Sequence, residues 1–318
     1  MNSVSISLII GTYNRGELIS DTIESVLNQS VVPDEVLVVD DGSGNGTADF
    51  VERRFPTVKV LRKPNGGTSS ARNFGAKNAS HDYLVFLDHD DLLLPGAVEK
   101  LRELALEFPE AQAVFCDHQY HDVNSKKIIL NHHKLIPAFS RLESIGVVRK
   151  TSNARLYGRP MYTALLRGNL LQQPWMVRRQ VFLDLGGFDE AIRYCEDWDM
   201  YIRLTRQHEI ALSDFVISIH RIEGENLHLE SWLKQYEMYE RTIHKQLLSK
   251  YPLSLSERWT LRKKLAQMEK RRGDHAVQEK DFRRGYKHYW NSFRWAPVDH
   301  IVCAKLLLWV PRLFSASN

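Results

Sequence analysis

Three carboxylates fall within four positions at Asp88-His89-Asp90-Asp91. Like charges this close repel and shift one another's pKa values unless a cation or a set of donors balances them. An oxygen-rich cluster of this kind suits a hard divalent cation, Mg2+ or Mn2+. Asp is also a common turn residue, so a solvated turn is the competing reading. Two further acidic pairs stand at Asp40-Asp41 and Glu196-Asp197. A carboxylate held against a hydroxyl can act as a general base. The second pair also opens a stretch in which Trp198, Tyr201, Ile202 and Thr205 share one helical face. Acidic residues favour the positive end of a helix dipole, so capping explains that pair equally well.

The elements that must carry these groups alternate. Apolar runs at Val4–Ile10, Val36–Val39, Val58–Leu61 and Tyr83–Leu87 read as short buried strands. Helical periodicity separates them over Glu17–Asn28, Thr47–Arg54 and from Ser69 onward. Short apolar strands alternating with helices imply an α/β fold, a parallel sheet covered on both faces. In such sheets ligands bind beyond the carboxyl ends of the strands. Thr12-Tyr13-Asn14, Asp40-Asp41 and Asp88-His89-Asp90-Asp91 all stand at those ends. Farther on, a helix follows Pro95 and a strand is expected at Ala113–Cys116. Residues 118–170 show few periodic segments, as in an acceptor-binding wall, and hold His118, His121, His132 and His133 without helical HxxxH spacing. Val177–Leu185 reads as a helix closed by Gly186-Gly187, and Phe215–Ile219 as a strand. From Leu229 to Trp295 three helices are expected, broken at Pro252 and Gly273.

The 318 residues are 43% hydrophobic and 26% charged, ordinary for a globular chain. Three scattered cysteines form no disulfide framework and no zinc signature, which fits a reducing compartment. Neither a signal peptide nor a run of 18 apolar residues is expected. The net charge of +4 is uneven: residues 230–318 carry 18 Lys and Arg against 9 Asp and Glu, so +9, leaving −5 on the rest. A basic tail of this kind faces something anionic. It has no zinc-finger, RRM or homeodomain signature, so nucleic acid is not expected, and an anionic membrane surface is at least as good a partner. Residues 301–314 are apolar with basic flanks, either lying in a membrane interface or packing on the preceding helices. The first strand lacks the GxGxxG that an NAD-binding enzyme would show.

Taken in order, five stretches resemble the family 2 glycosyltransferases. They are Val4–Arg15, Val38-Val39-Asp40-Asp41-Gly42-Ser43, Asn65-Gly66-Gly67 with Ala71-Arg72-Asn73-Phe74-Gly75, Phe86–Asp91 as a DXD motif, and Gly186-Gly187-Phe188-Asp189 with Glu196-Asp197-Trp198. The resemblance covers roughly residues 4–227 and omits the tail. It implies a GT-A nucleotide-diphospho-sugar transferase fold with a C-terminal helical extension. The catalytic domain would span 1–228, with a nucleotide-sugar half at 1–117 and an acceptor half at 118–228, followed by a basic helical region at 229–318.

The resemblance also implies roles. Thr12, Tyr13, Asp41 and Arg72 would hold nucleobase and ribose, with Asp40 nearby. Asp88 and Asp90 would be the DXD pair, Asp90 the direct ligand of Mg2+ or Mn2+. Asp197 would be the base of an inverting transfer, with Glu196 beside it. The family often places a His near the end of the catalytic domain; here that position holds Glu223, and His220 precedes the neighbouring Arg221, so either could complete a metal shell. The donor would be a UDP-sugar and the acceptor a glycan or lipid-linked saccharide. The enzyme would be cytoplasmic, peripheral at the inner face of a membrane through 229–318. The alternative is a non-catalytic nucleotide-binding scaffold of a glycan-synthesis complex.

Overall fold

The computed structural model describes residues 4–122, 128–131, 146–222, 243–297, 302–303 and 305–306. Glu223, His132 and His133 lie outside them, as does most of 301–314. The chain divides into two compact units, 1–165 with 169–228, and 166–168 with 229–318.

The first unit is built on a mixed, mainly parallel sheet. Strands β1 (Ile6–Thr12), β2 (Glu35–Asp40), β3 (Lys59–Arg62) and β4 (Tyr83–Asp88) pair in parallel. The remaining strands are β5 (Leu92–Leu93), β6 (Ala113–Asp122), β7 (Ile128–Asn131), β8 (Val147–Lys150), β9 (Arg155–Tyr157), β10 (Trp175–Arg178) and β11 (Ile210–Ile222). The order is β3-β2-β1-β4-β10-β6-β11-β9-β8, with β5 on β11 and β7 on β6. Helices α1 (Ser20–Leu27), α2 (Thr47–Arg54), α3 (Thr68–Asn78), α4 (Ala97–Glu107), α5 (Arg159–Leu165), α6 (Arg179–Asp184) and α7 (Glu196–Gln207) complete the unit. Alternation across the pleat makes two cores. Ile6, Leu8, Ile10, Val36, Val38, Val85 and Leu87 join one buried cluster. On the opposite face Phe86 and Phe115 pack with Trp175, the Phe115 and Trp175 rings stacked at 5.3 Å.

Several expectations are corrected. Val177 belongs to β10, which runs antiparallel to both β4 and β6, and the helix starts only at Arg179. Trp175, Met176 and Val177 have no exposed surface, and a run so short carries no period to identify it. β6 continues to Asp122, and β11 is 13 residues long because β6 pairs along most of it, past an irregularity between Leu212 and Ser218. The 118–170 stretch holds regular structure, including the β8–β9 hairpin and α5.

In the second unit, residues 243–250 are helical, followed by α8 (Leu255–Gln278) and α9 (Phe282–Trp295). α8 runs straight through Gly273, where a break was expected. The glycine is there for clearance: a Cβ would stand 2.6 Å from the Tyr289 ring of α9. The real break falls at residues 279–281, with Lys280 at φ 62°.

Candidate active site

The carboxyl ends of β1, β2 and β4 bring Thr12, Asp40 and Asp88 to one edge, as their register requires: Thr12 lies opposite Asp40, and Gly11 opposite Asp88. α3 packs hard on this sheet. A Cβ at Gly75 would meet Ile9 Cγ2 at 2.6 Å, so only glycine lets the helix approach this closely. That approach carries Arg72, one turn earlier, to the ends of the strands.

Arg72 is 5% exposed and joins two distant carboxylates. Its guanidinium donates to Asp88 Oδ1 and, at 2.6 Å, to Glu196 Oε1. The Gln173 carbonyl oxygen, turned inward, accepts from the two terminal nitrogens at 3.1 and 3.0 Å. The Phe188 ring covers the guanidinium at 5.5 Å. Burial alone would raise the Asp88 carboxyl; the charge and hydrogen bond of Arg72 overcome it and hold Asp88 below the usual carboxylate range. The adjacent Asn73 exchanges two hydrogen bonds with the Phe188 backbone, Nδ2 to O at 2.9 Å and N to Oδ1 at 2.8 Å. Consecutive residues of α3 thus fasten the loop and the helix that deliver Glu196 and Asp197.

α7 is anchored below by Tyr201, whose ring meets Trp175 and Phe115 edge-on, and by Trp198, whose indole donates to Leu165 O at 2.9 Å. Cys195, at φ 61°, turns the chain into the helix but makes no side-chain cap. Asp197 Oδ1 accepts from the Trp198 amide at 2.7 Å. Capping is therefore part of its surroundings, and it does not dominate. Burial, then the Glu196 charge, push the Asp197 carboxyl up to about 7, against the Trp198 amide and Arg72. A carboxylate titrating there is matched to proton abstraction near neutral pH.

The Asp88–Asp91 turn splits its acids. The Asp90 side chain is 52% exposed, its Oδ2 3.7 Å from His89 Nε2. Asp91 is buried, and its Oδ2 meets His220 Nδ1 at 2.9 Å. Burial works against a charged His220, but Asp91, by charge and hydrogen bond, raises it to about 9. Arg221 donates to Asp90 O and, at 2.8 Å, to Asp21 Oδ2, pinning the turn to α1. Among the described residues no three His, Cys, Asp or Glu side chains form a metal-holding group.

At the far side Asp41 is spent on the 63–67 loop, accepting from Lys63 Nζ at 2.5 Å and from the Gly66 and Gly67 amides. Asp40 Oδ2 accepts from the Ser43 amide at 3.0 Å, whereas Asp40 Oδ1 and Thr12 Oγ1 are buried with no hydrogen-bond partner among the described residues. Tyr13 is half exposed. The structure thus gathers Arg72, Asp88, Glu196 and Asp197 around one guanidinium, and sets Thr12 and Asp40 on the same sheet edge.

Gln173 escapes a reading of the sequence, as do the contacts that Asn73, Asp91 and Arg221 make. Those three belong to stretches that the sequence singles out; nothing marks Gln173. Removing an acceptor from a charged donor costs about 1.5–3 kcal/mol. Gln173→Leu is expected to lose that much in urea denaturation, and a curve superimposed on the wild type would show that the Arg72 contact carries no weight.

Comparison with known proteins adds to this geometry. The family model described as glycosyl transferase family 2 matches residues 7–170. An uncharacterized glycosyltransferase of Rickettsia conorii is 27% identical over 227 residues, 70% of this chain and 34% of that protein. The chondroitin synthase of Pasteurella multocida is 25% identical over 253 residues, 77% of this chain and 24% of the synthase. The chain thus spans about a third of the length of the first relative and a quarter of the second. Among solved structures, S. aureus TarS 1-349 in complex with UDP-GlcNAc superposes with a TM-score of 0.59 at 18% identity, covering 96% of this chain and 89% of that one. That likeness is one of fold, and the fold is GT-A.

Proposed function

Because the chain belongs to glycosyl transferase family 2 and is a glycosyltransferase, we propose that it moves a sugar, with inversion, from a UDP-sugar to a hydroxyl of a glycan or lipid-linked saccharide. One observation carries this reading: Arg72 ties the carboxylate at the end of β4 to the acidic pair that opens α7. Donor and acceptor chemistry then meet across a single side chain. The UDP-GlcNAc complex of TarS favours UDP in the donor.

Asp197 takes the proton of the acceptor hydroxyl as its oxygen attacks the anomeric carbon. The new C–O bond forms on one face while the bond to the diphosphate oxygen breaks on the other, and its electron pair leaves with the nucleotide. One base and one displacement invert the anomeric centre, and no enzyme nucleophile is needed. Glu196 is held to Arg72 and keeps Asp197 basic by its charge. Thr12, Tyr13 and Asp40 receive the nucleoside, Thr12 Oγ1 and Asp40 Oδ1 with unmet hydrogen-bonding capacity and Tyr13 with an exposed ring. Asp41 acts on the nucleoside through the loop that it holds.

The residues at the turn fit Mg2+ or Mn2+. Asp90 offers a half-exposed carboxylate near His89, and Asp88 has Oδ2 left after Arg72 takes Oδ1. Two carboxylates with substrate phosphates and water are the usual donor set of Mg2+. When bound, such an ion neutralises charge on the departing diphosphate. His220, backed by Asp91, adds either a further ligand or a cation facing the phosphates.

A panel of nucleotide sugars with and without Mn2+ or Mg2+, read by thermal shift, tests the donor. A donor at about 100 times its Kd stabilises by about 2.7 kcal/mol, so the matching UDP-sugar is expected to raise Tm by about 5–10 °C with metal present. Asp90→Ala should remove the metal-dependent part of that rise. If no nucleotide sugar shifts Tm and none is slowly hydrolysed, the reading fails.

A further inference from the structure

The second unit has a feature that sugar transfer does not use. α8 opens with a capping box: the Glu257 amide donates to Ser254 Oγ at 3.2 Å, and the Ser254 amide to Glu257 Oε2 at 2.7 Å. This fixes the start of the helix at Leu255. Leu255 is nonetheless 87% exposed, and Trp259, four residues on and on the same face, is 37% exposed. The core-facing positions of α8 lie elsewhere, at Leu261, Leu265, Met268 and Ala276. An apolar tip has therefore been left outside a helix that already has its own buried side.

Cations ring that tip. Lys263 Nζ lies 5.4 Å over the Trp259 ring. Arg258 donates to Leu253 O, and Arg262 to Trp295 O and Arg294 O, so both spend hydrogen bonds on backbone carbonyls and keep their charge. Residues 243–297 hold 14 Lys and Arg against 5 Asp and Glu. The acids are engaged within the unit: Glu257 in the cap, Glu269 buried against His288, Asp274 on Tyr289, and Glu279 and Asp281 on Arg284. The surface field is left positive. No described helix is long and apolar enough to cross a membrane.

We propose that the first two turns of α8 dock on an anionic lipid surface, Leu255 and Trp259 entering the boundary between headgroups and acyl chains while Arg258, Arg262 and Lys263 meet lipid phosphates. Trp favours that depth, where its ring is half in water. Basic side chains beside an anionic leaflet add about 1 kcal/mol each, and an apolar face buried at the interface adds the rest. Lipid fits better than nucleic acid or another polyanion, because a fully exposed Leu at the tip contributes nothing to binding a charged polymer. This inference does not depend on the donor or the acceptor.

Co-sedimentation of the full chain with phosphatidylcholine vesicles, with and without phosphatidylglycerol, tests it. Binding is expected only with phosphatidylglycerol and should weaken as salt is raised. The triple variant Arg258→Ala, Arg262→Ala, Lys263→Ala should bind about a hundredfold more weakly. Leu255→Ser with Trp259→Ser should lose about tenfold or more at unchanged Tm. No binding of the wild type to the anionic vesicles overturns the proposal. So does unchanged binding of the Leu255→Ser, Trp259→Ser variant. If those substitutions instead turn an oligomer into a monomer in light scattering and leave vesicle binding intact, the tip is a contact between copies. If a single-stranded oligonucleotide binds as tightly as the vesicles and neither substitution matters, the tip serves a polyanion, and the lipid assignment is wrong.

Discussion

Asp197→Asn is expected to lower kcat by about 10²–10⁴-fold, the usual contribution of a positioned base. Nucleotide binding should change little, because Asp197 touches neither Asp88 nor the β1–β2 edge through any hydrogen bond. The wild-type pH profile should show the same group. Its carboxyl titrates at about 7, so kcat/KM should rise about tenfold per pH unit below that value and level off above it. Stability should run the other way. The folded pKa lies above the ordinary value of 3.8, so the native state holds a proton that the unfolded chain has released. This group therefore costs stability progressively between about pH 4 and pH 7, and the cost is complete above. Asn keeps an acceptor for the Trp198 amide without the charge. Asp197→Asn should thus be more stable than the wild type at pH 8 and equal to it near pH 4. An unaltered turnover number, or a stability gap that widens towards acid, would remove Asp197 from the role of base.

Arg72→Met should produce the largest loss of stability of any single change at the site. It takes from Asp88 and Glu196 the cation that they share, leaving Asp88 only the neighbouring His220 and His89. Breaking a buried pair by removing one partner costs about 3–5 kcal/mol. Here one cation serves two acids, which sets the expectation at the upper end of that range. A second effect distinguishes this from simple unfolding. Arg72 lowers the Asp197 carboxyl, so in any folded fraction the acidic limb of the pH–rate profile should move to higher pH. Arg72→Lys, a point charge that cannot bond Asp88, Glu196 and Gln173 together, should recover part of the stability and little of the rate. Chemical denaturation with single-turnover rates across pH separates these results. A stable Arg72→Met protein with an unshifted limb would mean that the guanidinium links nothing.

How much of this is legible before the fold is known depends on distance along the chain. Tyr83–Leu87 runs straight into Asp88, and its apolar residues identify both the strand and the end at which a ligand would sit. The same holds for Val36–Val39 and Asp40. Strand ends are local facts, and sequence carries them well. The guanidinium at Arg72 is not local: its acids are 16 and 124 residues away. Nothing about Ala71-Arg72-Asn73 announces that it holds α7 in place. Gln173 is harder still, being a single amide in a segment without period. In the second unit Gly273 misleads for a physical reason. Glycine weakens a helix on its own account, but a neighbouring helix that needs the space reverses the inference.

The position of β10 has a mechanical consequence. The parallel strands β1–β4 and the β6–β11 pair are joined to the two sides of the same four-residue strand, Trp175–Arg178, through β4 and β6. No seam crosses the sheet at this place, so its two halves cannot swing apart like jaws. Any opening that turnover demands would then fall to the loops and helices above the sheet edge, not to the sheet itself.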